Sequence, residues 1–478
     1  MTRERASNNP GRHEPDAKVR GLQRKLYVAA KQQKERRFHA LYDRLCRSDV
    51  LHEAWERVKR NKGAAGVDGI TLEEMEQYGV EKLLNELRDE LHAGEYRAPP
   101  VLRRYIPKAD GKQRPLGIPT VKDRIVQTAA KLVLEPIFEA DFLPSSFGFR
   151  PGKSTLQALE TIREAVNAGS HHVLDADIRD YFGTIDQTVL MERVSRRVSD
   201  RRVLKLLRGW LQAGVMEGGT YSETVSGTPQ GGVISPLLSN IYLHFLDSVW
   251  QRQCAGIGTL VRYADDFVVL CRSREAVEEA ERRVRIIFER LKLTLHSEKT
   301  RRVDLNEGKE GFDFLGCHLH MRMSGKLWEE RRIRRYYLQR WPSRRSMKRA
   351  RTRVKELTDS RRDGVKDVDV LIRDLNPVLR GWGGYFSTGN AARKFRQLDQ
   401  YVVRRLNLFR WRRHRRHAKA GQRIHWERED YEARGLYRLR GTIRYPKPCM
   451  LHREVPPVSR VRETRTHGLK GGGGDRAA

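Results

Sequence analysis

The chain has 478 residues, with 95 Lys or Arg against 61 Asp or Glu, a formal net charge of +34 and a pI near 10.3. That length supports two or three domains with cores of their own, and such an excess of one sign repels itself unless a polyanion lies alongside, where each phosphate contact releases counterions. Five widely spaced cysteines (Cys46, Cys254, Cys271, Cys317, Cys449) with no C-x-x-C pair argue against a disulfide framework or a zinc site, and no apolar run is long enough to span a bilayer, so the reading is a soluble protein of a reducing compartment with no membrane partner.

The opening residues through Pro15 are polar. Residues 20–60 read as basic amphipathic helix, with Leu22, Leu26, Phe38, Leu41, Leu45, Leu51 and Trp55 as its apolar positions. Gly63, Gly66 and Gly69 then break the pattern, and helix returns over Ile70 to His92 behind a capping box of Thr71 and Glu74. Arg103 to Ile118 predicts a strand pair around Asp110-Gly111, a strong hairpin signal. Lys122 to Glu139 reads as helix, His172 to Ile178 as a buried strand, and Leu190 to Ala213 as one helix. Gly227 to Gly232 is a loop, after which Ser235 and Pro236 cap and open a helix. A charged helix over Ser273 to Leu291 follows two short strands. Cys271 and Cys317 sit in apolar runs and read as core thiols. Beyond about residue 330 the strand signals fade, and Arg331 to Arg353 holds eleven Arg or Lys with no acid. Strands and helices alternate irregularly, which predicts an α+β fold.

Two places carry candidate chemistry. Leu260 to Leu270 places Asp265 and Asp266 between two apolar, β-branched runs, a hairpin with both acids at its tip. Upstream, Val173-Leu174-Asp175-Ala176-Asp177-Ile178 is another apolar strand ending in acids. An isolated Asp-Asp pair is usually a solvated turn, but a solvated turn does not need an apolar strand on each side. Three carboxylates on neighbouring strand ends suit two divalent ions acting on an in-line phosphoryl displacement.

Together with Arg104-Tyr105-Ile106-Pro107-Lys108, Arg114 to Thr120, Asp123 to Gln127, Ser146 to Gly152, Thr228-Pro229-Gln230-Gly231, Ser235 to Leu238 and Phe314-Leu315-Gly316, these segments resemble the group II intron-encoded reverse transcriptase/maturases over roughly residues 60 to 415. A retroviral-type polymerase would share only the acids and the Pro-Gln-Gly. Leu371 to Phe386, Phe395 to Asp399 and Trp411 to His414 resemble the maturase block, within which Asn376-Pro377 would end one helix. The resemblance implies a right-hand polymerase, with fingers and an antiparallel palm over 61–320 and an α-helical thumb/maturase domain over 330–418. A basic N-terminal helical extension (1–60) would precede these, and a basic tail (419–478), a candidate for DNA binding, would follow.

The resemblance also implies roles. Asp177, Asp265 and Asp266, with Ile178 beside them, would hold two Mg²⁺ ions. Lys108 and Arg114 would grip the incoming dNTP, and Phe182 would be the steric gate against a 2′-hydroxyl. Gln230 and Gly231 would lie along nucleotide and template, and Lys299 would serve departing pyrophosphate. Arg344, Arg345, Lys348, Arg349, Arg380, Arg412 and Arg413 would contact RNA, while Trp382 and Phe386 read as core. The implied partners are intron RNA, an RNA template, DNA primer or target, and dNTPs, in a ribonucleoprotein that is monomer or dimer. The implied location is the bacterial cytoplasm, on the nucleoid when DNA is the target. Two features depart from the family. Phe182 is followed by Gly183 where many members have Asp, and the tail lacks the paired cysteines and His spacing of a homing endonuclease. A non-catalytic splicing factor and a domesticated host reverse transcriptase stay open as alternatives.

Overall fold

The computed structural model describes residues 14–107, 113–223, 227–228, 231–359, 367–414 and 426–444. The Asp110-Gly111 turn, Lys108, Gln230, the Arg413 side chain, Cys449 and most of the C-terminal tail fall outside the described residues, and with them the readings made there. Eleven strands appear among the described residues: β1 (Val101–Pro107), β2 (Gln113–Ile118), β3 (His172–Ala176), β4 (Val215–Glu217), β5 (Thr220–Ser222), β6 (Thr259–Tyr263), β7 (Asp266–Cys271), β8 (Arg301–Asp304), β9 (Gly311–Phe314), β10 (Cys317–Met323) and β11 (Tyr336–Pro342).

They form three sheets, ordered β2-β1-β4-β5, β6-β7-β3-β8 and β11-β10-β9. The second sheet is antiparallel throughout, and its central strands are buried on both faces. Side chains of a strand alternate between faces. Phe267, Val269 and Cys271 therefore join the core under helices Ser235–Val249 and Arg274–Arg290, whereas Val268 and Leu270 join the core of helix Thr155–Asn167. A strand covered on both sides reads as a continuous apolar run, which is why the acids at its ends stand out in sequence. The result is the α+β arrangement expected, with the acid-bearing sheet at its centre.

Several local expectations need correction. The stretch 20–60 is three helices, Glu14–Gln32, Tyr42–Leu45 and Ser48–Asn61, although each predicted apolar position is buried. The start of the second is fixed from a distance, because Asp200 accepts from the amides of Leu41 and Tyr42 at 2.9 and 2.8 Å. The helix after Thr71 breaks at Gly79, whose φ of +104° suits glycine. Leu190 to Ala213 is two helices, the second capped afresh by Asp200. Ser235 is the first helical residue rather than the cap. After residue 330 one strand remains, since β11 pairs along the whole length of β10. Asn376-Pro377 does not end a helix. Val368–Phe386 runs through the proline, held by a buried stripe of Leu371, Leu375, Leu379 and Phe386. Asn376 instead turns outward to bond Gly435 and Tyr437.

Helices Arg344–Leu357, Val368–Phe386 and Ala392–His414 pack around Val354, Leu375, Phe395 and Leu406. A buried ion pair ties this bundle's approach to the central sheet: Arg340 of β11 meets Glu160 of helix Thr155–Asn167 at 3.0 Å. Cys46, Cys254, Cys271 and Cys317 are buried free thiols. Among the described residues no helix is long and apolar enough to cross a membrane.

Candidate active site

The turn between β6 and β7 is as tight as a hairpin allows. Tyr263 pairs with Asp266, leaving Ala264 and Asp265 to make the reversal, and Ala264 adopts a φ of +59°. Gly148 abuts this turn, where a β-carbon would lie 2.9 Å from the Tyr263 carbonyl carbon and 3.0 Å from the Ala264 α-carbon. The Ser146-Phe147-Gly148 stretch is thus a brace for the acids: Phe147 N–H donates to the Arg262 carbonyl at 2.9 Å and Arg262 N–H to that of Ser145 at 2.8 Å.

Asp177 reaches the same place from the neighbouring strand. The β3–β7 register pairs Ala176 with Phe267, so Asp177, one residue on, comes level with Asp266. Beyond it the chain leaves the sheet against residues 294–296, with His296 N–H bonded to the Asp177 carbonyl at 2.8 Å. Ile178 bridges to Leu295 and its side chain is buried, so only its main-chain carbonyl is available as a ligand.

The carboxylates feel one another. Desolvation raises Asp265 above the usual carboxylate range, and Asp177 adds to the shift, while Arg114 and Arg262 oppose it. Asp266 faces solvent, yet the surrounding protein leaves its carboxyl poorly hydrated, and with Asp265, Asp177 and Asp175 nearby it is pushed up to about 7. Asp175 is raised by burial and steadied by Arg301 at 3.0 Å. Asp177 has a counter-charge of its own in Lys299, whose Nζ lies 2.6 Å from its Oδ2. Lys299 is therefore held on one of the three carboxylates.

Among the described residues no three His, Cys, Asp or Glu side chains gather closely enough to hold one ion. Asp177 is paired with Lys299 instead, and Asp265 and Asp266 lie at the facing turn. The chemistry of the three acids nevertheless suits a hard dication: all-oxygen donors on rigid strand ends.

Phe182 sits in the short helix Tyr181–Thr184, half-buried, its ring packed edge-on against Tyr181 at 5.2 Å. Tyr181 is anchored through its hydroxyl to the Ser239 carbonyl at 2.9 Å. The Phe182-Gly183 departure does not leave this segment loose. Asp180, at φ +41°, accepts from the amides of Gly183 and Thr184, and a β-carbon on residue 183 would lie 2.9 Å from the Asp180 carboxyl carbon. The space of a side chain at 183 is taken by Asp180.

The loop after β5 joins these parts. Thr228 N–H bonds the Phe182 carbonyl at 2.9 Å, and Gly231, at φ +116°, packs so closely on β2 that a β-carbon would meet the Gly117 carbonyl at 2.5 Å. Arg114 lies exposed on β2 and acts on Asp265 through its charge.

On the helical bundle, Arg344, Arg345, Lys348 and Arg349 occupy the exposed face of helix Arg344–Leu357, opposite its buried Met347, Ala350, Val354 and Leu357. Arg380 stacks over Tyr437 at 5.2 Å, and Arg412 is exposed on the last turns of Ala392–His414. Sequence reading missed the neighbours that widen this patch: Lys394 is depressed by desolvation and by Arg393, Arg351, Arg344 and Arg322, cations from three separate elements. Trp382 packs against Phe386 and Phe395 at 4.9 and 5.5 Å, as core. Also missed was the buried cluster of Arg262, Asp247, Asn240 and Ser146 beneath the acids, whose members are scattered over the chain with no local signature.

Comparison with known proteins places these features in a family. A model for reverse transcriptase (RNA-dependent DNA polymerase) matches residues 106–319, and one for the group II intron maturase-specific domain matches residues 347–426. Protein YkfC of Escherichia coli K12 is 38% identical over 336 residues, 62% of this chain and 87% of that one. The group II intron-encoded protein LtrA of Lactococcus lactis subsp. cremoris is 30% identical over 363 residues, 62% of this chain and 59% of LtrA, so the chain spans less than two thirds of that relative. A 91 kDa protein in the cob intron of Schizosaccharomyces pombe is 36% identical over 207 residues, 43% of this chain and 25% of that one. With a polymerase segment carrying the acids and a helical segment carrying the basic patch, the chain belongs to the group II intron-encoded reverse transcriptase/maturases, RNA-directed DNA polymerases by class.

Proposed function

We propose that this chain extends a DNA primer on an RNA template at Asp177, Asp265 and Asp266. We also propose that it grips its intron RNA with the basic face of the helical bundle, assisting splicing and supporting mobility by target-primed reverse transcription. The observation that carries the catalytic reading is the convergence of three carboxylates on adjacent strand ends, Asp177 acting on Asp265 and Asp266, with Phe182 and Arg114 on separate elements. Two Mg²⁺ bound at these carboxylates and the Ile178 carbonyl would supply positive charge to the attacking and leaving oxygens of nucleotidyl transfer.

The protein's own groups do the rest. The β6–β7 turn holds Asp265 and Asp266 rigidly, so little reorganisation is needed during reaction. Lys299, paired with Asp177 at 2.6 Å, would supply an ammonium to the departing pyrophosphate. Arg114 and Lys108 neutralise the triphosphate from the fingers side. The Phe182 ring excludes a 2′-hydroxyl by bulk, and Gln230 and Gly231 line the nucleotide where glycine permits close backbone approach. Arginines on the bundle contact phosphates of folded RNA, which is recognised mainly through backbone charge and shape. The protein would work as a ribonucleoprotein in the bacterial cytoplasm, reaching the nucleoid when it acts on target DNA. The proposed unit boundaries are those at about residues 60, 320–330 and 418.

The decisive experiment is Mg²⁺-dependent primer extension on an RNA template by Asp265→Ala beside the parent. Loss of a ligand should cost about a thousandfold or more in rate while RNA affinity stays within a few fold. Normal extension by the variant would refute the assignment of this hairpin.

A further inference from the structure

Arg262 is the largest fully buried side chain among the described residues. It lies on β6, three positions before Asp265. An isolated guanidinium would be untenable in the interior, and this one has an acceptor for each of its five N–H groups. Nε and Nη2 fork onto Asp247, itself fully buried, at 2.9 and 2.5 Å. Nη2 also donates to Ser146 Oγ at 2.7 Å, and Nη1 to Asn240 Oδ1 at 3.1 Å. The last donor goes to the carbonyl of Ala264 at 2.8 Å.

A buried Arg–Asp pair is a weak source of net stability, and the fork onto Asp247 needs no fifth bond to the turn. That bond seizes the peptide between Ala264 and Asp265, at the residue forced to positive φ. The same helix that supplies Asp247 and Asn240, Ser235–Val249, also supplies the Ser239 carbonyl that anchors Tyr181. The carboxylate turn and the ring pair Tyr181–Phe182 therefore hang from one rigid rod, and their separation is set by it. Asn240 completes the frame by donating to the Gly148 carbonyl at 2.8 Å.

We propose that Arg262 is a positioning residue for nucleotidyl transfer, which, through the Ala264 carbonyl, locks Asp265 and Asp266 at a fixed place relative to the Phe182 gate and sets their affinity for the divalent ions. This inference rests on the reading of Asp265 and Asp266 as metal ligands. Lysine at 262 keeps the charge but lacks the planar fork, and cannot serve Asp247, Asn240, Ser146 and Ala264 together.

The test uses the full chain with a bound RNA–DNA primer-template, measuring Mn²⁺ binding by electron paramagnetic resonance, the melting temperature, and kcat and KM for dNTP. Arg262→Lys should weaken Mn²⁺ binding and lower kcat by about tenfold to a hundredfold each, with KM for dNTP within about twofold. Asn240→Ala, which leaves the Arg262–Asp247 fork in place, should move Mn²⁺ binding and kcat in the same direction and carries the test if Arg262→Lys does not fold. Arg197→Lys is the matched control: Arg197 is also buried but bonds the Ala30 and Gln33 carbonyls near the N-terminal helix. It should lower the melting temperature and leave Mn²⁺ binding and kcat as in the parent. Parent-like Mn²⁺ binding and kcat in both Arg262→Lys and Asn240→Ala, with binding lost in Asp266→Ala, would overturn this inference alone. Parent-like Mn²⁺ binding by Asp266→Ala would overturn the metal assignment, and this inference with it.

Discussion

Gly148→Ala is the sharpest single-atom probe of how the acids are held. The added methyl would sit 2.9 Å from the Tyr263 carbonyl carbon and nearer still to the Ala264 nitrogen, where ordinary contact begins near 3.4 Å. Something must yield by about 0.5 Å or more. Neither side yields cheaply. The Gly148 carbonyl is pinned by Asn240, the Ala264 carbonyl by Arg262, and Ala264 already carries a positive φ. Overpacking of this kind costs about 1–3 kcal/mol of stability. Displacing reacting groups by about 0.5–1 Å costs about tenfold to a hundredfold in rate, or roughly 1.4–2.8 kcal/mol of barrier. Single-turnover extension of a pre-bound primer on RNA, run well below the melting temperature, separates the two effects. A variant that melts earlier yet extends at the parental rate would refute the claim that Gly148 braces the carboxylate turn.

Phe182→Ala should lower the penalty for ribonucleotide incorporation by about tenfold or more while dNTP extension continues, and unchanged discrimination would place the gate elsewhere. Replacing Arg344, Arg345 and Arg349 by Ala should weaken RNA binding and flatten its salt dependence by roughly 0.7–0.9 in slope per lost phosphate contact; binding like the parent at every salt concentration would make this face merely solvated. Asp265→Ala/Asp266→Ala should still promote splicing of the cognate intron at low Mg²⁺, and loss of splicing with RNA affinity intact would mean that the two activities share one site. Asp123, buried and bonded to Tyr96 and Trp210, has its carboxyl raised from 3.8 to about 6 by burial. A raised carboxyl binds its proton more tightly folded than unfolded, so its contribution to stability is full below about pH 3.8 and is lost as pH rises through 6, about 3 kcal/mol in all. His244, lowered to about 4 by burial, pulls the opposite way over pH 6.5 to 4. The comparison is therefore urea unfolding of parent against Asp123→Asn at pH 4.5 and 7.5, where an unchanged difference between the two would refute the shift.

What could be read from sequence were features that repeat a local rule. The acids were visible because β3 and β7 are apolar on both faces and stop abruptly at carboxylates. The Thr71–Glu74 box, the charged helix beginning about Ser273 and the N-terminal apolar positions were visible because capping and helical spacing act within a few residues. Failures came where a distant residue overrides a local signal. Asp200 starts a second helix while also fixing Leu41 and Tyr42, 159 and 158 positions away. Pro377 sits inside a helix because the buried stripe beneath it outweighs one missing hydrogen bond. Arg262 read as one more basic residue in an arginine-rich chain, since its partners lie 15, 22 and 116 positions away. Lys299 was identified by motif, but its bond to Asp177 depends on a register no motif states.

The packing of the first helix has a consequence for synthesis. Glu14–Gln32 buries Val19, Leu22 and Leu26 in the core shared with helix Val121–Glu139, and Gln23 donates to the Leu132 carbonyl 109 residues further on. At translation rates of about 5–20 residues per second, that partner arrives roughly 5–20 s after the first helix leaves the ribosome. During that interval an amphipathic, strongly basic helix has its apolar stripe uncovered in a cell full of RNA. Phosphates compensate its charge but cannot cover its leucines, so chaperone binding or temporary burial against Ser48–Asn61 has to protect it. The helix Glu14–Gln32 thus waits for a partner made about a hundred residues later, and pauses in translation before residue 140 should expose it to proteolysis far more than pauses after it.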